Sequence, residues 1–198
     1  MKKIFALFAA LTLAASAFAV EVGKPAPDFT GTDINGKTIH LSDYKGKIVV
    51  IEPYNSDCPY CMNHYKTGAM QELQKDMTAK GVVWLIVDSV NKKNFSYRTP
   101  EQAHKEFVSQ KITAAAWIDD NSGAIGHLYG ILTTPQMFVI AADGTLAYDG
   151  AIDDRPEPFG DPRMAKNYVH NAVDELTSGK PVTVTATKPY GCAVKYAD

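Results

Sequence analysis

Cysteine is scarce in this sequence: Cys58, Cys61 and Cys192 are the three among 198 residues. So few exclude a small scaffold held together by disulfides. Basic clusters are missing as well. Lysine and arginine number 20 against 22 acidic residues, a formal net charge of −2, with none of the dense patches that nucleic acid requires. Beyond the N-terminal region no stretch is apolar enough to span a bilayer. Internal repeats and low-complexity segments are also lacking.

The N-terminal region reads as an export signal. Lys2 and Lys3 precede an apolar run from Ile4 to Leu13, too short for an ordinary spanning helix. Ala17-Phe18-Ala19 is a small-x-small site, which predicts cleavage after Ala19 and a mature chain beginning at Val20. No cysteine follows that cut, so a lipid anchor is not expected. Removing 19 residues takes Lys2 and Lys3 with it and leaves 179 residues, 18 basic and 22 acidic, a net charge of −4. That is enough chain for one packed domain. The expectation is an exported protein without a membrane anchor, periplasmic in a Gram-negative bacterium.

Chemistry concentrates in Asn55-Ser56-Asp57-Cys58-Pro59-Tyr60-Cys61. An apolar run, Ile48-Val49-Val50-Ile51, precedes it, and a helix-compatible stretch from Met62 to about Lys80 follows. A helix start offers free N–H groups and a partial positive charge. Both favour a thiolate at Cys58, and the thiolate is the nucleophile. Cys61 lies one helical turn on and can close a disulfide with little rearrangement.

Taken in order, Thr30 to Leu41 predicts a hairpin about Asn35-Gly36, and Ser42 to Lys47 a turn. Ile48 to Glu52 and Val82 to Val87 read as buried strands. Met70, Leu73 and Met77 recur at helical spacing, with Gly81 as a terminating residue. Thr99-Pro100-Glu101-Gln102 has the form of a capping box opening a helix to about Gln110. Ala114 to Asp119 predicts a third strand and Gly123 to Tyr129 a short helix. Met137 to Ile140 and Leu146 to Tyr148 predict a hairpin. Asp153 to Pro162 reads as an exposed loop, Ala165 to Leu176 as a last helix, and Val182 to Thr185 as an edge strand. The expectation is α/β: a mixed central sheet flanked by helices, with an N-terminal hairpin, a domain over 20–179 and a C-terminal tail over 180–198 packed on it.

Several stretches carry a family likeness in order and spacing. They are Gly23-Lys24-Pro25-Ala26-Pro27-Asp28-Phe29, Gly36-Lys37, Leu41 through Lys47, the Cys58-to-Cys61 motif and Thr134-Pro135. Over Val22 to about Ile152 the sequence resembles the thioredoxin-fold redoxins, in the exported AhpC/TSA and thioredoxin-like group. Its Lys188-Pro189-Tyr190-Gly191-Cys192 tail resembles a narrower bacterial subgroup. The resemblance implies the thioredoxin fold and thiol–disulfide exchange without an organic cofactor or metal. Cys58 would attack, Cys61 would resolve, and the pair would form the redox-active disulfide. Pro135 would be the cis proline facing the motif, and the Thr134 backbone would pair with an extended substrate. Glu52 would be the buried acid that exchanges protons with the resolving cysteine, or else a strand-end glutamate that reaches solvent because Pro53 stops the strand. Partners would be protein or small-thiol disulfides, with a separate electron donor or acceptor.

The departures define the alternatives. Asp57 stands where thioredoxins usually carry Trp; it is expected as the helix N-cap, and close to Cys58 it would raise the thiol's pKa. A peroxiredoxin-like peroxidase would use Cys58 with Cys61 or Cys192. Its motif places Pro seven residues and Thr or Ser three residues before the cysteine; here Pro53 is five before and Asn55 is three before. Arg98, Arg155 and Arg163 are the candidate activating arginines for that reading. A copper carrier of this fold would use a Cys-x-x-x-Cys spacing, which is not present; His64 and His127 are its candidate histidines, both more simply read as solvated or capping. Cys192 is either a third redox thiol or a small buried residue.

Overall fold

The structure is a computed structural model and describes residues 20–197. The expected export signal over 1–19 lies outside the described residues. Thr30–Thr32 (β1) and Thr38–His40 (β2) form the predicted hairpin, followed by a 3-10 turn at Leu41–Tyr44. Val49–Pro53 (β3) leads to Pro59–Lys66 (α1) and Ala69–Ala79 (α2). Next come Val83–Asp88 (β4), Pro100–Ser109 (α3), Ala116–Asp119 (β5) and Ala124–Tyr129 (α4). Thr133–Thr134 (β6), Met137–Ile140 (β7), Leu146–Gly150 (β8), Tyr168–Thr177 (α5) and Cys192–Ala193 (β9) complete the chain.

The central sheet has the order β5-β4-β3-β7-β8. β3, β4 and β5 run parallel, joined through helices, while β7 lies antiparallel to β3 and β8 to β7. This is the mixed sheet expected from the sequence. Alternation along the strands sends successive side chains to opposite faces. Val50, Trp84, Ile86 and Val139 pack with Met70, Met77 and Val173 on one face. Val49, Ile51, Leu85 and Phe138 pack with Phe29, Ile39, Ile125 and Tyr129 on the other. Both faces are covered, which explains the near-continuous apolar runs of β3 and β4. Glu52 sits on the same side of β3 as Val50, so its position in the pleat commits a carboxylate to the interior.

The helix expected from Met62 to Lys80 is two helices. Gly68, at φ +83°, breaks it; its N–H bonds the Tyr65 carbonyl while α2 restarts at Ala69. Helical spacing of Met70, Leu73 and Met77 is real, but it belongs to α2 alone. The capping box forms as expected: Thr99 Oγ1 accepts from the Gln102 N–H and Gln102 Oε1 accepts from the Thr99 N–H. Val182 to Thr185 is not a strand. The tail touches the β8 edge instead through Thr185 O and Thr187 N, both bonded to Asp149. Asp153, placed by sequence in an exposed loop, is buried.

The break and the core make separable predictions. Gly68→Ala has open space for its methyl group, so its cost is the left-handed backbone alone, about 1–2 kcal/mol. Met77→Ala empties a fully buried site on α2 and should cost about 2–5 kcal/mol. Urea denaturation should show both as a lowered midpoint with unchanged slope.

Candidate active site

β3 ends at Pro53, and the chain turns through Tyr54-Asn55-Ser56-Asp57 into α1. The turn is fixed locally: Asn55 Oδ1 accepts from the Asp57 N–H at 2.8 Å, and Asn55 O from the Cys58 N–H at 3.1 Å. It is also pinned from α3. Glu106 accepts hydrogen bonds from Tyr54 Oη, from Ser56 Oγ at 2.8 Å and from Gln110 Nε2 at 2.7 Å. Arg98 Nη2 bonds Asp57 Oδ1 at 2.9 Å, and Arg98 Nε lies 3.7 Å from Glu106.

The N-cap of α1 is therefore Cys58, not Asp57. Asp57 turns outward to Arg98, and the expected cap contact does not form. Pro59 occupies the first helical position, where its missing N–H costs nothing. This leaves the Cys58 sulfur at the mouth of the helix, yet the residue is only 1% exposed. Cys61, one turn on, is fully buried. All three cysteines are free thiols.

The two motif thiols are driven apart. Cys58 is brought down to about 5, first by the Cys61 thiol donating to its sulfur. Burial opposes that, while the Cys192 thiol, the Thr134 side chain and the Cys61 N–H add donors. As a thiol, Cys58 donates to Thr134 O at 3.0 Å. Thr134 Oγ1 is buried with no other partner, so a Cys58 thiolate satisfies it. Cys61 moves the other way, well above the ordinary thiol range. Burial is the main cause, followed by Cys58 and the charge of Glu52.

Glu52 is fully buried. Tyr65 Oη donates to Oε1 at 2.8 Å; Trp84 Nε1 at 2.7 Å and Gln74 Nε2 at 3.1 Å donate to Oε2. Burial pushes its pKa up to about 7, and the three donors hold it from rising further. A carboxyl balanced near neutrality, whose charge is felt by the Cys61 thiol, is placed to hold or release a proton.

Opposite the motif, the Thr134–Pro135 peptide bond is cis. The Thr134 backbone, expected to receive an extended substrate, is paired with β9: Thr134 opposes Cys192 and Thr133 opposes Ala193. Cys192 thus meets Cys58, and its own thiol is pushed up to about 12 by burial and by donation to Cys58. The structure brings together Cys58, Cys61, Cys192, Thr134 and Pro135, with Glu52 beneath them.

Other candidates fall away from the sulfur. Arg155 and Arg163 pair with Glu157 and with Asp161 and Glu72. His127 stacks on Tyr196. His64 is neither solvated nor capping: it is buried 3.8 Å from Asp153, and burial lowers it to about 4. Among the described residues, no group of three or more His, Cys, Asp or Glu side chains is arranged to hold a metal ion. Sequence reasoning missed Glu106, Asp153 and the Tyr190 hydroxyl that donates to Asp153 at 2.6 Å. Tyr190 had a signal in the tail motif; Glu106 and Asp153 had none.

The AhpC/TSA family model matches residues 22–149. Thiol-disulfide oxidoreductase ResA of Bacillus thuringiensis subsp. konkukian (strain 97-27) is 33% identical over 125 residues, 63% of this chain and 66% of that protein. Its namesake in Geobacillus kaustophilus (strain HTA426) is 28% identical over 126 residues, 64% of this chain and 67% of that one. The chain thus spans just under two thirds of the length of the Bacillus relative. Among solved structures, a hypothetical protein of Sinorhizobium meliloti 1021 superposes with a TM-score of 0.79 at 23% identity, over 91% of this chain and 97% of its own. The thioredoxin domain of a Bacteroides vulgatus thiol-disulfide oxidoreductase does so with a TM-score of 0.51 at 19% identity, over 66% and 89%. These likenesses establish a thioredoxin-like fold. With the matched region taking in the hairpin, the cysteine pair and the cis proline, the chain belongs to the AhpC/TSA family.

Proposed function

We propose that the protein is an exported thiol–disulfide oxidoreductase working through the Cys58–Cys61 pair. The observation that carries this reading is the opposed environment of the two sulfurs. One is held as an anion at a helix start; the other is a buried donor to it, above a carboxyl near neutrality. The relatives named thiol-disulfide oxidoreductase support the same chemistry. The Cys58 thiolate attacks one sulfur of a substrate disulfide and the other sulfur leaves as a thiolate. Cys61 then gives its proton toward Glu52 and attacks Cys58, releasing the substrate as a second thiol. Running backward, the same steps oxidise a dithiol. Substrates are protein or small-thiol disulfides, and a separate partner returns or removes the electron pair. The leader over 1–19 supports an exported location, the mature chain beginning at Val20 with a domain over 20–179 and its tail over 180–198.

Peroxide chemistry has less support. The position three before Cys58 is Asn55, whose side-chain oxygen is used within the turn, and Arg98 is engaged with Asp57 and Glu106. Reduced protein should consume hydrogen peroxide no faster than a free thiol does.

Cys58→Ser should abolish reduction of insulin disulfides, and retained turnover would overturn the assignment. With both other thiols removed, Cys61→Ser/Cys192→Ser should instead accumulate a mixed disulfide on Cys58, visible as a mass shift on non-reducing analysis. Cys58 alkylation by iodoacetamide should follow a titration near pH 5; an inflection at the ordinary thiol value would remove the basis of the reading.

Glu52→Gln tests the acid through two readouts. Proton transfer should be slowed by about 10²-fold or more at the resolving step. Stability should respond as well. Between the ordinary carboxyl value of 4.5 and about 7, the unfolded chain has lost the proton that the folded protein keeps. Folding then binds a proton, so this residue's contribution to stability falls as pH rises through that window. Wild type minus Glu52→Gln should lose stability from pH 4.5 to pH 7 in urea titrations; a flat difference would place the carboxyl elsewhere on the scale.

A further inference from the structure

The tail crosses the active site as a strap with several anchors. Thr187 Oγ1 contacts Tyr148 Oη at 2.6 Å and accepts from the Ala151 N–H at 2.9 Å. Tyr190 donates to Asp153 at 2.6 Å and tilts against Tyr60, ring centroids 5.9 Å apart. Past β9, the Val194 N–H bonds Leu132 O at 3.2 Å, and the Asn91 N–H bonds Lys195 O at 2.8 Å. Tyr196 stacks on His127 and donates to Ile131 O at 2.8 Å. The body of the domain is shaped for this strap. A Cβ at Gly150 would lie 2.3 Å from Thr187 Oγ1, and one at Gly126 would lie 2.4 Å from Tyr196 Oη.

The closest approach is at the chemistry. Gly191 has φ +133°, and a Cβ there would sit 2.0 Å from Thr134 O. Its backbone therefore presses on the same carbonyl that Cys58 contacts. The next residue, Cys192, opposes Thr134 and meets the Cys58 sulfur. The geometry points to the tail as a built-in substrate. Residues 190–193 lie where an extended, cysteine-bearing peptide would add to β6, and Cys192 takes the place of that peptide's cysteine. This rests on the exchange reading of Cys58 given above.

Two consequences follow for chemistry and selectivity. In the oxidised protein Cys192 gives up its proton and attacks Cys58. The Cys58–Cys61 bond breaks, a Cys58–Cys192 bond forms, and Cys61 leaves as a thiolate that takes up a proton. One disulfide is consumed and one is made, so no external oxidant enters. The strap must lift for a protein substrate to dock, and what fits in its place resembles it. The substrate class is an extended segment with glycine before its cysteine and an aromatic hydroxyl before that.

The full-length protein allows the test. Cys61→Ser is treated with oxidised glutathione and mapped by non-reducing peptide mass spectrometry. Cys58 attacks glutathione disulfide and releases one glutathione; Cys192 then displaces the other. The expected product is a monomer linked Cys58–Cys192. Glutathione remaining on Cys58 with Cys192 free would overturn the proposal. Independently, Gly191→Val should eject β9 and raise the alkylation rate of Cys58 by roughly tenfold or more, as expected when an occluded site becomes mostly open. Tyr190→Phe, which removes one anchor and no volume the strand needs, should raise it by less. Wild-type rates in both variants would overturn the strap. Alkylation needs no disulfide exchange, so the two readings fail separately. Insulin reduced by the wild type without a Cys58–Cys192 link or faster alkylation would sink the strap alone. Faster alkylation in the variants with no disulfide formed on Cys58 and no insulin reduction would sink the exchange reading and leave the strap standing.

Discussion

A sulfur anion closed off from water persists where donors replace the water it has lost. Cys58 is such a site, and much of the molecule is arranged to provide those donors. Cys61 reaches it because Pro59 starts a helix at the correct residue and one turn returns the second thiol to the first. The Thr134 side chain reaches it because β6 runs alongside the motif. The turn that aims Cys58 is held by Asn55 from within and by Glu106 on α3 from outside. Asp57, the nearest negative charge in sequence, is drawn away to Arg98. Each feature protects one anion.

Burial has the opposite consequence where donors are fewer or the group itself is a donor. Cys61 and Cys192 stay protonated chiefly because burial disfavours their thiolates, and their hydrogens are committed to Cys58 as well. Glu52 is intermediate: three donors offset part of the cost of burying its charge, leaving it near neutrality. The pleat of β3 explains why this carboxyl is buried at all. Its side chain must point to the face that carries Val50, beneath α1 and α2, and Tyr65, Gln74 and Trp84 supply the polar atoms that make the position tolerable. The buried carboxyl of Glu52 and the buried thiol of Cys61 are thus products of the same strand–helix junction.

Local chemistry was legible in the sequence, and distant pairing was not. The strands β3, β4 and β7 follow from β-branched runs, the α3 cap from four adjacent residues, and the hairpin from Asn35-Gly36. The placement of the cysteine pair at a helix start and of the cis proline facing it was likewise readable, since spacing and order carry it. Errors arose where a second element decided the outcome. Met70, Leu73 and Met77 set a helical period that ran through Gly68, whose left-handed backbone ends α1. Asp57 resembled a cap until Arg98, 41 residues away, claimed it. Asp153 lay among prolines and acids, yet Tyr190, 37 residues on, donates to it in addition to the local Arg155 N–H. The tail resembled an edge strand at Val182 to Thr185, whereas its pairing occurs ten residues later, against Thr133 and Thr134.

The strap and the thiolate are coupled through the same surface. While β9 is seated, it excludes water from Cys58 and supplies one of its donors. Lifting it removes both the exclusion and the donor. These losses oppose each other, because returning water solvates the anion that the Cys192 thiol no longer bonds. Cys61, the largest stabilising influence, sits on the motif's own helix and does not depart with the strap. The Cys58 sulfur therefore keeps its principal donor whether the tail is down or away. In the proposed strap what changes is access: the two-residue strand would govern who reaches Cys58 and leave the reactivity of the sulfur to α1.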